Sequence, residues 1–354
     1  MHAQWVKTLV TVAAYFLAQQ GGVDTPPAGA GGTGTRAVIG YYSEYYPGES
    51  RPYNALRANA RTLTAIAPFS YYLDASGNLS GTHLSKAVST AKASGLKVLA
   101  LIHNFTRKNG FEGGTAHKVL SNHLVRARAV AKITSLVRSQ GYSGINLDLE
   151  NVYAIDRANY TAFVRELAQA LRPLGYLVTA SVPAKVADDR SNNWSGAFDY
   201  GALAPWLDQI MLMTYDENGA LGHAGPVASL PWVERVVRFA RSHIPSRKIV
   251  VGLAGYGYDW VQGRTGAKGK EFPEIQSLVN RLGVTPKWDA ASKVPYIRYS
   301  SGGQSRIIWY ENSWSAALKL DLVNRYNLGG VALWRLGGED PRLWKVIWEK
   351  FGRA

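Results

Sequence analysis

The amino-acid sequence predicts an α/β fold, a (βα)8 TIM barrel with a small α+β insertion between strand 7 and helix 8. From Arg36 onward, short apolar runs alternate with amphipathic segments, and eight of the runs have the length of a strand. Most of these runs are apolar throughout, as parallel strands covered on both sides are. One long interval, between Leu253 and Leu318, interrupts the alternation.

The predicted strands recur at intervals that leave room for a helix between most of them. They span residues 38–42, 66–72, 97–104, 145–149, 177–182, 209–215, 249–253 and 330–334. Apolar residues recur at helical spacing in the segments 124–138, 160–171, 231–242, 318–326 and 341–351. Two of these helices carry end signals, because one stops before Pro173 and Gly175 and another has Pro231 near its start.

The long interval after the seventh strand contains more residues than one crossover needs. Residues 277–282 have a helical pattern, and residues 296–299 and 306–310 have the pattern of a hairpin around Ser301-Gly302-Gly303. We therefore expect a small α+β insertion, at about residues 255–310, packed on the rim of the barrel.

The N-terminal part of the chain differs in composition from the rest. Lys7 precedes an apolar stretch, residues 9–18, which is close in length to the apolar region of a signal peptide and too short for a membrane span. Residues 21–35 are dominated by Gly, Ala, Pro and Thr, which is typical of a flexible linker. We expect residues 1–35 to be a signal-like segment and linker, with a disordered or helical tail as the alternative, and residues 36–354 to form the barrel.

The composition limits the possible functions. The 354 residues are 46% hydrophobic and include no cysteine, which excludes disulfides, thiol nucleophiles and thiolate metal sites. The formal net charge of +15 favours anionic polymers such as a carboxylate-rich cell wall, and general solubility explains it equally well. No nucleic-acid-binding module accompanies the charge, so nucleic acid is the least favoured partner. We expect a monomer with no metal, no cofactor and no stable insertion into a membrane.

The carboxyl ends of barrel strands are where functional side chains of this fold lie. Here they are rich in carboxylates, amides and aromatic rings: Tyr42, Tyr72, His103, Asn104, Asp148, Glu150, Ser181, Tyr215, Asp216 and Trp334. Aromatic rings stack on pyranose faces and carboxylates act on the acetal, so this set predicts a sugar site. His103 falls on the opposite face of its strand from Asn104, and we expect it to be packed without a functional role.

The fourth strand carries the most informative pattern, Gly144-Ile-Asn-Leu-Asp-Leu-Glu150. Side chains alternate along a strand, so Asn146, Asp148 and Glu150 share one face and aliphatic side chains occupy the other. Carboxylates two residues apart lie about 5–7 Å apart at their Cβ atoms and perturb each other's protonation. The pair is a candidate for acid–base chemistry, and the alternative is a hydrogen-bonded strand end with no chemical role.

Three motifs resemble those of glycoside hydrolase family 18. Residues 144–150 resemble its fourth-strand pattern Asp-Gly-x-Asp-x-Asp-x-Glu, Met213-Thr-Tyr-Asp216 matches its sixth-strand Met-x-Tyr-Asp element, and Trp334 matches its eighth-strand tryptophan. Asn151-Val152, residues 225–229 and residues 334–340 resemble, more narrowly, the spore-cortex-lytic branch, whose members are N-acetylglucosaminidases of spore peptidoglycan. The resemblance extends over about residues 38–351.

The resemblance implies a retaining mechanism in which the N-acetyl oxygen of the substrate, and no protein group, attacks the anomeric carbon. It implies that Glu150 is the acid and base, that Asp148 orients the acetamide and stabilises the oxazolinium, and that Tyr215 donates a hydrogen bond to the acetamide oxygen. Six further residues are expected to contact the substrate: Asn146, Asp216, Met213, Trp334, Asn104 and Tyr42.

Two positions depart from the family pattern. Ser143 and Asn146 stand where the pattern has aspartates, and Asn146 carries no charge, so a charge relay along the strand stops at Asp148. The resemblance associates this asparagine with the spore-cortex-lytic branch.

Several candidates also have a purely structural interpretation. Tyr215 and Trp334 are alternatively core residues, Asp216 a loop cap, and Asn104 and Tyr42 parts of the scaffold. The acidic pairs at 188–189 and 339–340 are expected to be loop residues or helix caps. Four tryptophans either line an extended cleft or bury apolar area: Trp194, Trp206, Trp232 and Trp260.

The sequence thus predicts a bacterial glycosidase, secreted or associated with the spore or cell wall, that cleaves β-1,4 bonds after N-acetylglucosamine in spore-cortex peptidoglycan. A chitinase with the same chemistry is the alternative, and the positive charge weakly disfavours it. A catalytically inactive, glycan-binding lectin is the third possibility, and the retention of Glu150 argues against it.

Overall fold

The computed structural model of this chain describes residues 35–352. The predicted signal-like stretch and residues 21–34 of the predicted linker lie outside the described residues, so both assignments stay predictions. None of the helices between residues 35 and 352 combines the length and the apolarity that crossing a bilayer requires.

Eight parallel strands close a barrel within the described residues. The first strand pairs in parallel with both the second and the eighth, which closes the ring. The barrel strands are Ala37–Tyr42, Ala65–Leu73, Lys97–His103, Gly144–Asp148, Leu177–Pro183, Gln209–Met213, Ile249–Ala254 and Gly330–Trp334. The predicted barrel and all its strands are confirmed, with small shifts at the strand ends.

Helices cover the outside of the barrel. They are Arg51–Asn59, Ser85–Ala93, Gly113–Ser121, His123–Gln140, Arg157–Leu171, Tyr200–Leu203, Leu230–Arg241, Ser313–Arg325 and Leu343–Phe351, with short 3-10 turns at Ala154–Asp156, Arg172–Leu174 and Ser246–Lys248. The predicted helices are confirmed. The helices before residue 122 were not predicted, and Ser85–Ala93 shows why: it buries only Ala87, Val88 and Ala91, which give a weak helical pattern.

Alternation along the strands divides the apolar side chains into two layers. An inner layer inside the barrel includes Ile39, Leu99 and Met211, and a larger outer layer lies between strands and helices. Ile145 and Leu147 of the fourth strand belong to the outer layer. The side chains of Asn146 and Asp148, which alternate with them, therefore point into the barrel. The packing of Ile145 and Leu147 against the helices thus decides which side chains of the fourth strand face the interior of the barrel.

The chain leaves the barrel after the seventh strand and forms the predicted insertion. One antiparallel sheet is made by Tyr256–Val261, Ala267–Glu271, Lys287–Asp289, Val294–Ser301 and Gln304–Tyr310, and helix Phe272–Leu282 packs on it. The predicted hairpin and helix are confirmed. The helix begins earlier than predicted because Glu271 and Glu274 form a capping box at its start.

A buried ion cluster attaches the insertion to the barrel. Arg335, directly after the eighth strand, donates to the two carboxylate oxygens of Glu49 at 2.8 and 3.1 Å and pairs with Glu271 of the insertion at 2.7 Å. Arg51 pairs with both carboxylates as well. The side chains of Arg335 and Glu49 are 1% and 0% exposed. Three segments that are distant in sequence are thereby held together by one ion cluster.

Arg335→Ala is expected to lower the free energy of unfolding by about 3–5 kcal/mol, because the substitution leaves Glu49 buried without its main cation. Lys345→Ala is the matched control, because it removes one cation from an exposed pair with Glu349 and should change stability by about 0.5 kcal/mol or less. Urea unfolding followed by tryptophan fluorescence measures both. Equal losses of unfolding free energy in the two variants would contradict a stabilising role for the buried ion cluster.

Candidate active site

A cleft of about 1330 Å³ opens at the carboxyl end of the barrel. Six of the predicted site residues line it, and they come from the ends of three strands: Asp148, Glu150, Met213, Tyr215, Asp216 and Trp334. The structure therefore brings the three sequence motifs together in one place. The remaining predicted contacts, Asn146, Asn104 and Tyr42, do not line the cleft.

Asp148 is the last residue of the fourth strand and is buried, with an exposed fraction of 4%. Its Oδ1 atom is buried and accepts no hydrogen bond from the described residues. Burial raises the pKa of Asp148 to about 7, and a hydrogen bond from Ser181 opposes this effect. Because water is largely excluded, this carboxyl group binds a proton near neutral pH.

A chain of neutral polar groups lies beneath Asp148. Tyr41 shares a hydrogen bond of 2.8 Å with the Ser181 hydroxyl, which donates to Asn146 Oδ1 at 2.9 Å. The Asn146 amide donates in turn to Thr179 Oγ1 at 3.1 Å. The prediction that Asn146 contacts substrate is wrong, because the residue is fully buried under Asp148 and supports it from below.

The backbone of Glu150 is fixed by Asn104. Asn104 Oδ1 accepts from the Glu150 N–H at 2.9 Å, and Asn104 Nδ2 donates to the Glu150 carbonyl at 2.8 Å and to the Glu112 carbonyl at 3.1 Å. These bonds use the whole amide, and the residue is fully buried. The prediction of a substrate contact for Asn104 is therefore wrong, and its observed contacts position Glu150.

The loop after Glu150 fits closely against its neighbour. Asn151 has a φ of 55°, and its side chain donates to the Phe111 carbonyl at 2.9 Å. A Cβ atom on Gly113 would lie 2.3 Å from the Asn151 carbonyl oxygen, so only glycine fits there.

Burial, followed by the negative charges of Asp148 and Asp216, raises the pKa of Glu150 well above its ordinary value. Asp148 and Glu150 thus both bind a proton more readily than isolated carboxyl groups do.

Met213 and Tyr215 come from the end of the sixth strand. A Cβ atom on Gly252 would lie 2.9 Å from the Tyr215 ring, so the glycine in the next strand makes room for the tyrosine. No described residue hydrogen-bonds to the Tyr215 hydroxyl, and the atom is not buried. This hydroxyl is therefore available to a bound molecule.

Asp216 is exposed to the cleft and has a φ of 61°. Its Oδ1 atom accepts hydrogen bonds from the hydroxyls of Tyr256 at 2.6 Å and Tyr258 at 2.8 Å, both from the insertion. Desolvation by the surrounding cleft raises the pKa of Asp216, and the two tyrosine hydroxyls oppose the rise. Sequence analysis missed both tyrosines. Their alternation in Tyr-Gly-Tyr was a signal for a strand, but nothing local identified Asp216 as the partner.

Aromatic rings form one wall of the cleft. The Trp334 ring lies 5.5 Å from Tyr41 and 5.6 Å from Phe69, and Phe69 stacks on His103 at 4.1 Å. The prediction for Tyr42 is wrong by one residue. Its ring packs in the outer layer with its hydroxyl on Glu44, and Tyr41 faces the cleft. His103, expected to have no role, also lines the cleft.

The remaining candidates divide between cleft and scaffold. Trp194 and Trp232 line the cleft, Trp206 packs against the outer layer, and Trp260 is fully buried in the insertion. Asp188 pairs with Arg157, and Asp340 accepts from the N–H of Ser313 at a helix start. Within residues 35–352 no group of three or more His, Asp and Glu side chains has the arrangement of a metal site.

An aromatic cleft that contains buried carboxyl groups, at the carboxyl end of a (βα)8 barrel, is the arrangement of a glycosidase. The chain belongs to glycosyl hydrolases family 18, whose model matches residues 37–339. The predicted family is thereby confirmed, and the protein is a glycosidase of that family.

The similar proteins include spore and chitin enzymes. The uncharacterized glycosylase YvbX of Bacillus subtilis is 31% identical over 317 residues, which are 89% of this chain and 92% of that protein. The cortical fragment-lytic enzyme of Bacillus cereus is 25% identical over 84% of this chain and 70% of its own length. A chitinase from Chromobacterium violaceum has a crystal structure that matches with a TM-score of 0.83 at 30% identity, over 90% of this chain and 100% of that one. The likeness to the cortical fragment-lytic enzyme supports the predicted branch.

Asp148→Asn is expected to stabilise the protein at alkaline pH and much less at acidic pH. The pKa of Asp148 is raised by burial to about 7 from an ordinary 3.8. Below about pH 4 the carboxyl group is protonated in both the folded and the unfolded state, so its ionisation does not change the free energy of unfolding. As the pH rises from about 4 to about 7, ionising the group costs more in the folded state than in the unfolded state, and above about pH 7 this destabilisation stays constant. Melting temperatures at pH 4 and pH 8 measure the difference.

The control for this prediction is Asp321→Asn, which changes a half-exposed carboxylate on the surface. Its effect on the melting temperature should be small at both pH values. A gain for Asp148→Asn that is the same at pH 4 and pH 8 would show that packing, and not ionisation, causes it.

Proposed function

We propose that this protein hydrolyses β-1,4 bonds after N-acetylglucosamine by a retaining, substrate-assisted mechanism. The observation that carries the proposal is the pair of the buried Asp148 and the half-buried Glu150, whose pKa values are both raised, in an aromatic cleft. A protonated carboxylic acid at neutral pH is what departure of the glycosidic oxygen needs.

In the first step, Glu150 transfers its proton to the glycosidic oxygen while the bond to the anomeric carbon breaks. The acetamide oxygen of the same sugar forms a bond to that carbon and gives a cyclic oxazolinium ion. In the second step, the ionised Glu150 removes a proton from a water molecule whose oxygen attacks the anomeric carbon. The bond between the acetamide oxygen and the anomeric carbon breaks, so the oxazolinium ring opens and the acetamide is restored. Glu150 is protonated again, and the configuration at the anomeric carbon is retained.

Asp148 and Tyr215 would control the acetamide. In the reactive form Glu150 holds the proton, and Asp148, whose pKa is about 7, is already ionised. The Asp148 carboxylate stabilises the positive oxazolinium and accepts from the acetamide N–H. The free hydroxyl of Tyr215 donates to the acetamide oxygen. Asp216, with one oxygen already bound by two tyrosines, keeps its other oxygen for a sugar hydroxyl. Met213 and Trp334 supply the apolar surface on which the pyranose stacks.

Peptidoglycan, in particular that of the spore cortex, is the proposed substrate. The likeness to the cortical fragment-lytic enzyme supports it, and the net charge of +15 favours a polymer that carries carboxylates. The likeness to the chitinase supports chitin as the second candidate. Action on a wall polymer implies a location outside the cytoplasm or in the spore. The retained and buried carboxyl pair argues against a lectin.

Glu150→Gln is expected to lower kcat by about 10²–10⁴-fold, because the amide has no proton to transfer as a general acid. Glu217→Gln is the matched control, since Glu217 lines the same cleft and bonds the backbone N–H of Ser229. It should change kcat by much less. The release of reducing ends from N-acetylglucosamine oligomers measures both variants, and unchanged activity in Glu150→Gln would refute the mechanism.

The substrate is decided by comparing kcat/KM on cortex peptidoglycan fragments and on chitin oligomers of similar length. We expect the larger value on the cortex fragments, with a rate that falls as salt screens the attraction between the basic protein and the anionic polymer. Efficient cleavage of chitin together with no cleavage of cortex would instead establish the chitinase.

A further inference from the structure

His103 is a polar residue of the cleft to which the proposed mechanism assigns no task. It ends the third strand and lies opposite Asp148 in the register of the third and fourth strands. Neighbouring side chains at the same level of a parallel pair point to the same side, so the imidazole enters the cleft next to Asp148. Only 7% of the residue is exposed, and it lines the cleft.

The imidazole is held rigidly by its surroundings. Its ring stacks on Phe69 with the centroids 4.1 Å apart and the planes 5° from parallel. Phe105 meets the same ring edge-on at 6.5 Å. The ring therefore has one orientation before any ligand binds, and a bound ligand need not order it.

The backbone also fixes the tautomer. The N–H of Phe105 donates to Nδ1 of His103 at 3.1 Å. Since an atom that accepts this hydrogen bond carries no proton, the neutral ring has its proton on Nε2. Burial lowers the pKa of His103 to about 4, so the ring is neutral at the pH where a carboxyl group such as Asp148 titrates.

The Nε2–H group has no partner within the protein. None of residues 35–352 accepts a hydrogen bond from it, and it is not among the buried atoms without a partner. The group therefore reaches the solvent of the cleft. A fixed and unpaired donor in an aromatic wall is suited to an oxygen of a bound molecule.

We propose that His103 is a specificity-determining residue whose Nε2–H donates a hydrogen bond to a hydroxyl or carbonyl oxygen of the bound glycan. The fourth and fifth strands separate His103 from the sixth strand. In the proposed function, on which this inference rests, Tyr215 from the end of the sixth strand donates to the acetamide oxygen. The contacted oxygen lies accordingly on the side of Asp148 away from the acetamide. A sugar without an acceptor there leaves the donor desolvated and unpaired, which disfavours its binding.

Two substitutions separate the donor from the ring. In His103→Asn the side-chain oxygen can accept the N–H two residues ahead, as Nδ1 does, but the side chain is too short to replace Nε2–H. In His103→Gln the terminal amide restores a donor near the position of Nε2. Both substitutions remove the aromatic ring, and only asparagine keeps the acceptor for the Phe105 N–H. Tighter binding by His103→Gln than by His103→Asn therefore reports on the donor.

Both substitutions are made in a Glu150→Gln background, so that Kd for the N-acetylglucosamine tetramer is measured by calorimetry without turnover. We expect His103→Asn to weaken binding about tenfold, the loss of one hydrogen bond, and His103→Gln to stay within about threefold of the parent. Equal Kd values for parent and His103→Asn, or equal losses in both variants, would overturn the inference. If the Glu150→Gln parent binds no tetramer, the proposed function fails first.

A measurement on the unsubstituted His103 keeps the test independent of folding. The ¹⁵N chemical shifts of the ring distinguish the two tautomers in the Glu150→Gln protein. We expect the Nε2-protonated form at neutral pH, and a shift of the Nε2 resonance when the tetramer is added. A ring protonated on Nδ1, or an Nε2 resonance that does not respond to bound tetramer, would overturn the inference while leaving the proposed mechanism intact.

Discussion

The joint burial of Asp148 and Glu150 is the constraint around which the site is arranged. Two carboxyl groups that share one desolvated space resist ionising together, because burial raises the pKa of both and the charge of Asp148 raises that of Glu150 further. A proton is therefore held at the bottom of the cleft. The inner apolar layer of the barrel lies below the cleft, and the ring of Trp334 lines the same cleft as the two carboxyl groups. Asn104 fixes the backbone of the loop from which the glutamate projects.

The groups beneath the pair are polar but neutral. Ser181, Asn146 and Thr179 form a hydrogen-bonded chain without a charge of its own. The Ser181 hydroxyl has one proton, and both Asn146 and Asp148 are acceptors for it. An aspartate in place of Asn146 would add a third carboxyl group to the same space. With asparagine at this position, Asp148 has no second carboxyl group beneath it, and its protonation is coupled to that of Glu150 above.

The barrel was predictable because its strands are apolar throughout and separated by helical segments. The same property explains the errors at Tyr42 and Asn104. When both faces of a strand are buried, apolar residues occur on both, and alternation no longer tells which face is inside. A phase error of one residue exchanges Tyr42 for Tyr41 and Asn104 for His103. The fourth strand was assigned correctly because Asp148 and its aliphatic neighbours differ in polarity.

The contacts between Asp216 and the insertion were beyond the reach of sequence patterns. Tyr256 and Tyr258 are separated from Asp216 by the whole seventh strand, and no periodicity relates them. Hydrogen bonds of this kind depend on tertiary packing, which local residue types do not encode. Phe69 is a similar case, because it lies next to an irregularity of register in the second strand that displaces the expected alternation.

The ion cluster of Arg335, Arg51, Glu49 and Glu271 has a consequence for how this protein and its relatives diverge. The insertion supplies Glu271, while the barrel and its loops supply the other three members. A recombinant that exchanges only the insertion between two such enzymes would transfer one of the four members of the cluster and leave an uncompensated charge inside. Such an exchange succeeds only when the loop after the first strand and the residue after the eighth are inherited together with it, so these three segments are expected to evolve as one unit.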